Sequence, residues 1–477
     1  MRVTKRFLLL LGVLSFALAH LATAQSVTSI SKKGHIPADS LFKLVYVPID
    51  VPTGIAELRV KEIYSQQGKN VLNLGIYGPE GYQMGNTAGF RGWSGGAKTE
   101  FFLNAQEAST GYIPGKIKPG RWHILIYPST ILPEGIDWEL AVSLVPGPDK
   151  PAFQLMPAPA SVNNQPGWYR GDLHMHTLHS DGKRTPQELV NEAVAQGLDF
   201  IVSTEHNTNS ANLSWGKYAP KNLLIINGEE VTTTAFGHWN AMGLSPTTLI
   251  EWRYTSQDKA VTKYLAQVHA DSGLAIINHA FYTKECINGF GFDVKDFDGI
   301  EVWNGQWDAL DELALKWWDD LLRAGTAKLA VADSDTHTAA PSPNQLGRPQ
   351  TVVKAKSLSR SGIMQGLRKG NAYLSADNKL RLTLTATAGA ATANLGDRLP
   401  AVVGKKVQVA FTLQQIPAQA VVTLHGEKGV LFTEQAAIGK AATWHWTVPA
   451  GATKYVRVEV RTPQGEMLAL TNPIWLG

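Results

Sequence analysis

The 477 residues carry 44 basic and 40 acidic side chains, and three of the basic ones, Arg2, Lys5 and Arg6, fall at the very start. The rest of the chain is therefore close to neutral, which speaks against nucleic acid or an anionic membrane surface as partner. A lone cysteine, Cys286, excludes an internal disulfide, so apolar cores alone must hold a chain of this length together.

Residues 1–24 read as an export leader. The basic residues precede the apolar run FLLLLGVLSFALA, and Ala22-Thr23-Ala24 offers a cleavage site before Gln25. That run is too short for a membrane span and no later one is longer, so no stable membrane insertion is expected. The expected location is periplasmic or secreted. Residues 25–145 hold short alternating runs such as KLVYVPIDV, NVLNLGIYG and WELAVSLVP, punctuated by Gly and Pro. They predict an N-terminal β-sandwich. Residues 146–167 carry six prolines and predict a linker.

Across residues 168–375 strands alternate with helices. Thr185, Pro186 and Glu188 form a T-x-x-E capping box with Pro at the first helical position, and Gly197 ends that helix. Further helices are predicted over 257–272 and 309–324, each followed by an apolar strand, LAIINHA and KLAVADSD. The pattern predicts a (β/α) barrel, complete or distorted. Residues 376–477 return to alternation in KLRLTLTAT, KVQVAFTLQ and KYVRVEVRT, a second β-sandwich.

The chemistry concentrates in DLHMHTLHSDG at 172–182. His174 and His176 are two apart, so on extended backbone both imidazoles point the same way, with Asp181 close behind. Bursts of the same character close later apolar runs: TEHN with His206, NGEEV with Glu229 and Glu230, FGHWN with His238, INHA with His279 and DSDTH with Asp335 and His337. Eight of the 13 histidines lie between His174 and His337. Nitrogen and oxygen donors gathered at strand ends are the raw material of a polynuclear metal site. One strand histidine alone is more often structural; the ordered set is poorly explained that way. The structural reading wins for His269 on a helix and for His35, His123, His425 and His445 in the β regions. His179 either points away from the site or serves as a proton donor.

The frame WYRGDLHMHTLHSDGKRTPQELVNEAVAQGLDFIVSTEHN resembles the PHP (polymerase and histidinol phosphatase) metallohydrolases, and most of all their CehA/McbA-like, carbaryl-hydrolase branch. The resemblance implies a distorted (β/α) barrel of PHP type holding two to three divalent transition metals (zinc, manganese or iron). It implies one ion on His174, His176, Glu230 and Asp335, a second sharing Glu230 with His238 and His279, and a third on Asp181, His206 and His337. The family pattern G-x-E selects Glu230 over Glu229. Ala280 stands where the family usually has Pro. Asp172 and Glu205 are placed to support ligands.

Asp181, His206 and His179 are the candidates for catalysis; Arg170, Trp303 and Asn304 for substrate binding, with Lys183 and Arg184 near the same mouth. The leading expectation is an exported hydrolase of small-molecule esters, using a metal-bound hydroxide on a phosphomonoester or phosphodiester. The alternatives are a carboxylic or carbamic ester hydrolase and a non-catalytic glycan or cell-wall binding protein. The complete donor set speaks against the last.

Overall fold

The computed structural model describes residues 26–283, 289–400, 406–449 and 451–477. The leader and Cys286 therefore lie outside the described residues. The molecule is multidomain and mostly β, with four α-helices among the described residues.

The N-terminal region folds as two antiparallel four-stranded sheets. In the strand Ile55–Tyr64 alternate residues Leu58, Val60 and Tyr64 enter the core between the sheets, opposite Leu72, Leu74, Trp122 and Ile124. The strand Val71–Tyr77 is buried on both faces. Its outer side, with Phe90, Trp93, Leu125 and Tyr127, shares one apolar cluster with Trp239, Trp252 and Tyr254 of the central region. Arg253 spans this joint, donating to the Tyr46 hydroxyl at 2.8 Å while paired with Glu251 at 2.6 Å. The Pro-rich segment is laid against the central region: Ser161–Asn163 pairs with Leu358–Ser359.

The central strands form a curled, mixed sheet. Gly167–Asp172, Phe200–Ser203 and Leu224–Thr233 run parallel, as do Leu274–Ile277, Gly299–Asn304 and Leu329–Asp333. Helices α1 (Pro186–Ala195), α2 (Val261–Ala270) and α3 (Ala309–Arg323) connect some of them, and α4 (Arg360–Arg368) closes the region. The capping box expected at Thr185 is present: its hydroxyl accepts from the Glu188 N–H. Asp308 caps α3 in the same way. The regular βα alternation is met only in part. Leu224–Thr233 and Gly237–Met242 form an antiparallel hairpin, because three residues cannot carry a crossover helix. His238 therefore stands at the beginning of its strand, not at a C-terminal strand end as the sequence suggested. Reversal of direction brings it to the same edge as the other donors. The sheet curls until its first and last strands touch, through a bridge between Met175 and Thr336.

The C-terminal region packs the sheet of Arg381–Ala388, Val407–Gln414 and Ala442–Val448 over strands Ala420–Gly426 and Tyr455–Arg461 around Leu384, Phe411, Val422 and Val458. It is not an isolated sandwich. Ala372–Ser375 pairs with Met467–Thr471, so one sheet continues from the central region into the C-terminal one. This pairing satisfies an edge that would otherwise expose backbone donors and acceptors. No described helix is long and apolar enough to cross a membrane.

Candidate metal centre

Nine side chains from six segments meet at the edge where the sheet curls. Glu230, fully buried on Leu224–Thr233, lies at their middle. Its Oε2 lies 3.2 Å from His174 Nε2, 3.4 Å from His176 Nε2 and 2.8 Å from His206 Nδ1. Its Oε1 lies 3.1 Å from His238 Nδ1 and 3.2 Å from His279 Nε2. Asp335 Oδ1 approaches His176 Nε2 at 3.1 Å and His174 Nε2 at 3.4 Å. Nearer the surface, Asp181 Oδ1 faces His337 Nε2 at 3.3 Å and His206 Nε2 at 3.7 Å. His279 and Asp335 adopt positive φ, 22° and 46°, as strained backbone at functional sites often does.

The donor set fits cations. Four overlapping groups, His174/His176/Asp335, His174/Glu230/His279, His206/Glu230/His238 and His176/Asp181/His206/His337, each hold their donor atoms within 4.8 Å of one another. His174 Nε2 and Glu230 Oε2 are buried and 3.2 Å apart, yet neither is aligned for a hydrogen bond of good geometry. Buried polar atoms almost always find a well-aligned partner, so two that face a common point without that alignment fit a ligand between them.

The electrostatics agree. Burial alone would raise the Glu230 carboxyl; the imidazoles of His206, His174 and His238 overcome it and hold it well below the usual range. Asp335 is depressed by His174, His176 and His337 against the same penalty. Against burial, Asp181 and Asp335 raise His337 to about 9. Burial, with His337 and His206 beside it, lowers His176 to about 3. The imidazoles of His174, His279 and His337, raised by their carboxylate neighbours against burial, would each give up a proton on binding a cation.

Supporting residues orient the donors. Glu301 Oε1 lies 2.9 Å from His174 Nδ1, which turns Nε2 toward the centre. Thr232 Oγ1 lies 2.5 Å from His206 Nδ1. Asp172 accepts from the N–H groups of Ser334 (3.1 Å) and Gly347 (2.7 Å), and Glu205 accepts from the Ser180 hydroxyl at 2.5 Å. Both carboxylates hold loops more than rings. Glu301 escaped the sequence reading; the signal was a glutamate inside the apolar strand GIEVWN, where a buried charge needs a reason.

A cavity of about 320 Å³ opens onto the centre. Asp181, His206, Glu230, His238, His279, Asp335 and His337 form its floor, and Phe281, Tyr282, Leu310 and Asn304 stand on its walls. Asn304, a substrate-binding candidate from the sequence, is thus among the lining residues. Arg170 is not: its guanidinium is buried and donates to Leu380 O (2.7 Å) and Gln350 Oε1 (3.2 Å), tying the central sheet to the C-terminal region. Trp303 is buried, with its Nε1 donating to Gly305 O at 3.0 Å. Arg184 is buried between Glu192 (2.7 Å) and Thr336 (2.7 Å). His179 also lies off the cavity. Its Nδ1 is 2.8 Å from Ser210 Oγ, and burial, with Lys98 and Lys217 nearby, lowers it to about 3. Glu229 turns away, accepting from Ile250 N–H at 2.9 Å. His269 pairs with Asp298 on the surface at 2.9 Å.

No family model matches the chain. A 75-residue stretch, 15% of the chain, is 36% identical to a 5'-3' exoribonuclease of Haemophilus influenzae. The match spans 26%, about a quarter, of that relative's length. Among solved structures, the chain is similar to a two-domain protein from Bacteroides vulgatus described as containing a predicted PHP-like metal-dependent phosphoesterase. That likeness has 17% identity and a TM-score of 0.41, over 69% of this chain and all of the other. A second is a protein of Bifidobacterium adolescentis, provisionally described as a metal-dependent phosphoesterase, with 19% identity and a TM-score of 0.29 over 42% of this chain and 93% of the other.

Proposed function

We propose that the chain is a metal-dependent ester hydrolase, and that a phosphoester is its substrate. The observation that carries this reading is the convergence of nine donor side chains, Glu230 and Asp181 among them, seven of which form the floor of one cavity. In this reading His174, His176, Glu230 and Asp335 hold one ion; Glu230, His238 and His279 a second; Asp181, His206 and His337 a third. When bound, such ions activate water at neutral pH and neutralise charge developing on phosphoryl oxygens. The protein's own part is positional. Glu301 keeps the His174 proton on Nδ1, so Nε2 remains a donor to the centre. Asp181 and His206 line the cavity, where they would meet the reacting group. Asn304 Nδ2, 3.4 Å from Asp335 Oδ2, is placed to donate to a substrate oxygen. Burial of Glu230 and His174 keeps bulk water from the inner pair.

A second reading is a carboxylic or carbamic ester. It is favoured by the cavity wall, where Phe281, Tyr282 and Leu310 are apolar and no Lys or Arg appears among the described lining residues. Assays of p-nitrophenyl phosphate, bis-p-nitrophenyl phosphate and 1-naphthyl methylcarbamate on protein of measured metal content separate the two. Phosphoester turnover is expected; carbamate turnover alone would replace the first reading with the second. Neither activity on fully metallated protein would favour a binding protein. The order of basic, apolar and small residues over 1–24 supports export, and N-terminal sequencing of protein from its host should find Gln25 first.

A further inference from the structure

We infer that the N-terminal β region is part of the metal site's scaffold, and that Lys98 is a positioning residue for the group Asp181, His206 and His337. The inference rests on the metal reading above and adds a residue about 80 positions upstream of any donor. Lys98 lies on the connection from Phe90–Gly95 to Glu100–Asn104, the crossing from one N-terminal sheet to the other. Its ammonium donates to the carbonyl of Leu178 at 2.6 Å and of Ser180 at 3.2 Å. These are the carbonyls flanking His179, and Asp181 is the next residue.

Two further contacts join the same surfaces. Gly111 packs so closely on the donor-bearing loop that a Cβ there would lie 2.8 Å from His179 O and 2.7 Å from Trp93 O, and its φ is +93°. Only glycine tolerates both the approach and the conformation. Its carbonyl accepts from Thr208 Oγ1 at 3.0 Å, two residues past His206. The two loops that present Asp181 and His206 are also tied together by His179 and Ser210. Both loops thus lean on residues 93–112.

The charges run the same way. Glu205, buried, gathers the Thr177 N–H and the hydroxyls of Thr177 and Ser180, and its charge and that of Asp181 attract the Lys98 ammonium. Removing that ammonium leaves two carbonyls without this donor. The Asp181 loop then loses its fixed distance from His206 and His337. Glu230 and His238, by contrast, sit on strands of the central sheet.

The test is a Mn2+ binding isotherm by equilibrium dialysis on the full chain, with thermal unfolding as the fold control. Lys98→Met should weaken one class of site by about 10- to 100-fold, the range for loss of a residue that orients a ligand, and leave the others nearly unchanged. Lys98→Arg, which keeps the charge, should restore most of the affinity. Gly111→Ala should reproduce the Lys98→Met isotherm, and it decides the matter if Lys98→Met does not fold. A Lys98→Met isotherm that superimposes on wild type, or that weakens all classes equally, overturns the inference alone. A wild-type protein that binds no Mn2+ overturns the metal reading itself.

Discussion

Replacing Glu230 by Gln keeps the side chain's size and removes its charge at the point where five imidazole nitrogens lie within 3.4 Å. At about 3.2 Å and an effective dielectric near 20, one such unit-charge contact is worth about 5 kcal/mol gross, most of it offset by desolvation. Removing one member of a buried charged set typically costs about 3–5 kcal/mol. At about 1.4 kcal/mol per tenfold, metal affinity at the inner pair should fall by about a hundred- to several-thousand-fold. Elemental analysis after dialysis against a fixed free-metal concentration, paired with phosphoester turnover, reads this directly. Metal content should drop by two ions, because Glu230 is proposed to serve both, and turnover should vanish with it. Retention of full metal content and activity in folded Glu230→Gln protein would refute the bridging role and the placement of the centre.

Three further outcomes are expected. Asp181→Asn should depress phosphoester hydrolysis by about a hundredfold and spare a carbamate, since a carbamate develops charge on one oxygen and needs the third ion least; equal loss for both substrates would remove that distinction. In metal-free protein His337 is raised to about 9 by Asp181, so its stabilising contribution is complete below its ordinary value of 6.5 and is lost as pH rises through 9. Thermal midpoints of the metal-free protein should therefore fall between pH 6.5 and 9, and His337→Gln should flatten that slope; an unchanged slope would show that the His337–Asp181 pair does not couple to folding. Arg170→Ala should cost about 2–3 kcal/mol in denaturant unfolding by stripping charged hydrogen bonds from Leu380 O and Gln350, with KM unchanged; a raised KM at unaltered stability would return Arg170 to the substrate site.

The nine residues stood out in the sequence because they fall in six short motifs beside apolar runs, and a motif survives without knowledge of the fold; the choice of Glu230 over Glu229 needed the family resemblance, and His238 proved to open its strand. Thr185 and Pro186 announced α1 for the same reason: a cap is a local arrangement within one turn. The alternation of the flanking regions likewise foretold β-structure, because a strand's two faces are written at period two. What tertiary structure decided is non-local. Arg170 looked like a residue of the mouth, yet the strand carrying it pairs with Gln350–Ala355, and its side chain meets the C-terminal region instead. His179 sits in the richest motif of the chain and still turns toward Ser210, since on a tight loop neighbouring side chains diverge. Glu301 reads as one acid in an apolar strand until the curl of the sheet brings it against His174, 127 residues away. Sequence spacing thus determined which donors exist and in what order they come. Their distances, the residues that hold them and the loops that lean on Lys98 follow from the closure of the sheet, which depends on contacts between segments that no local pattern encodes.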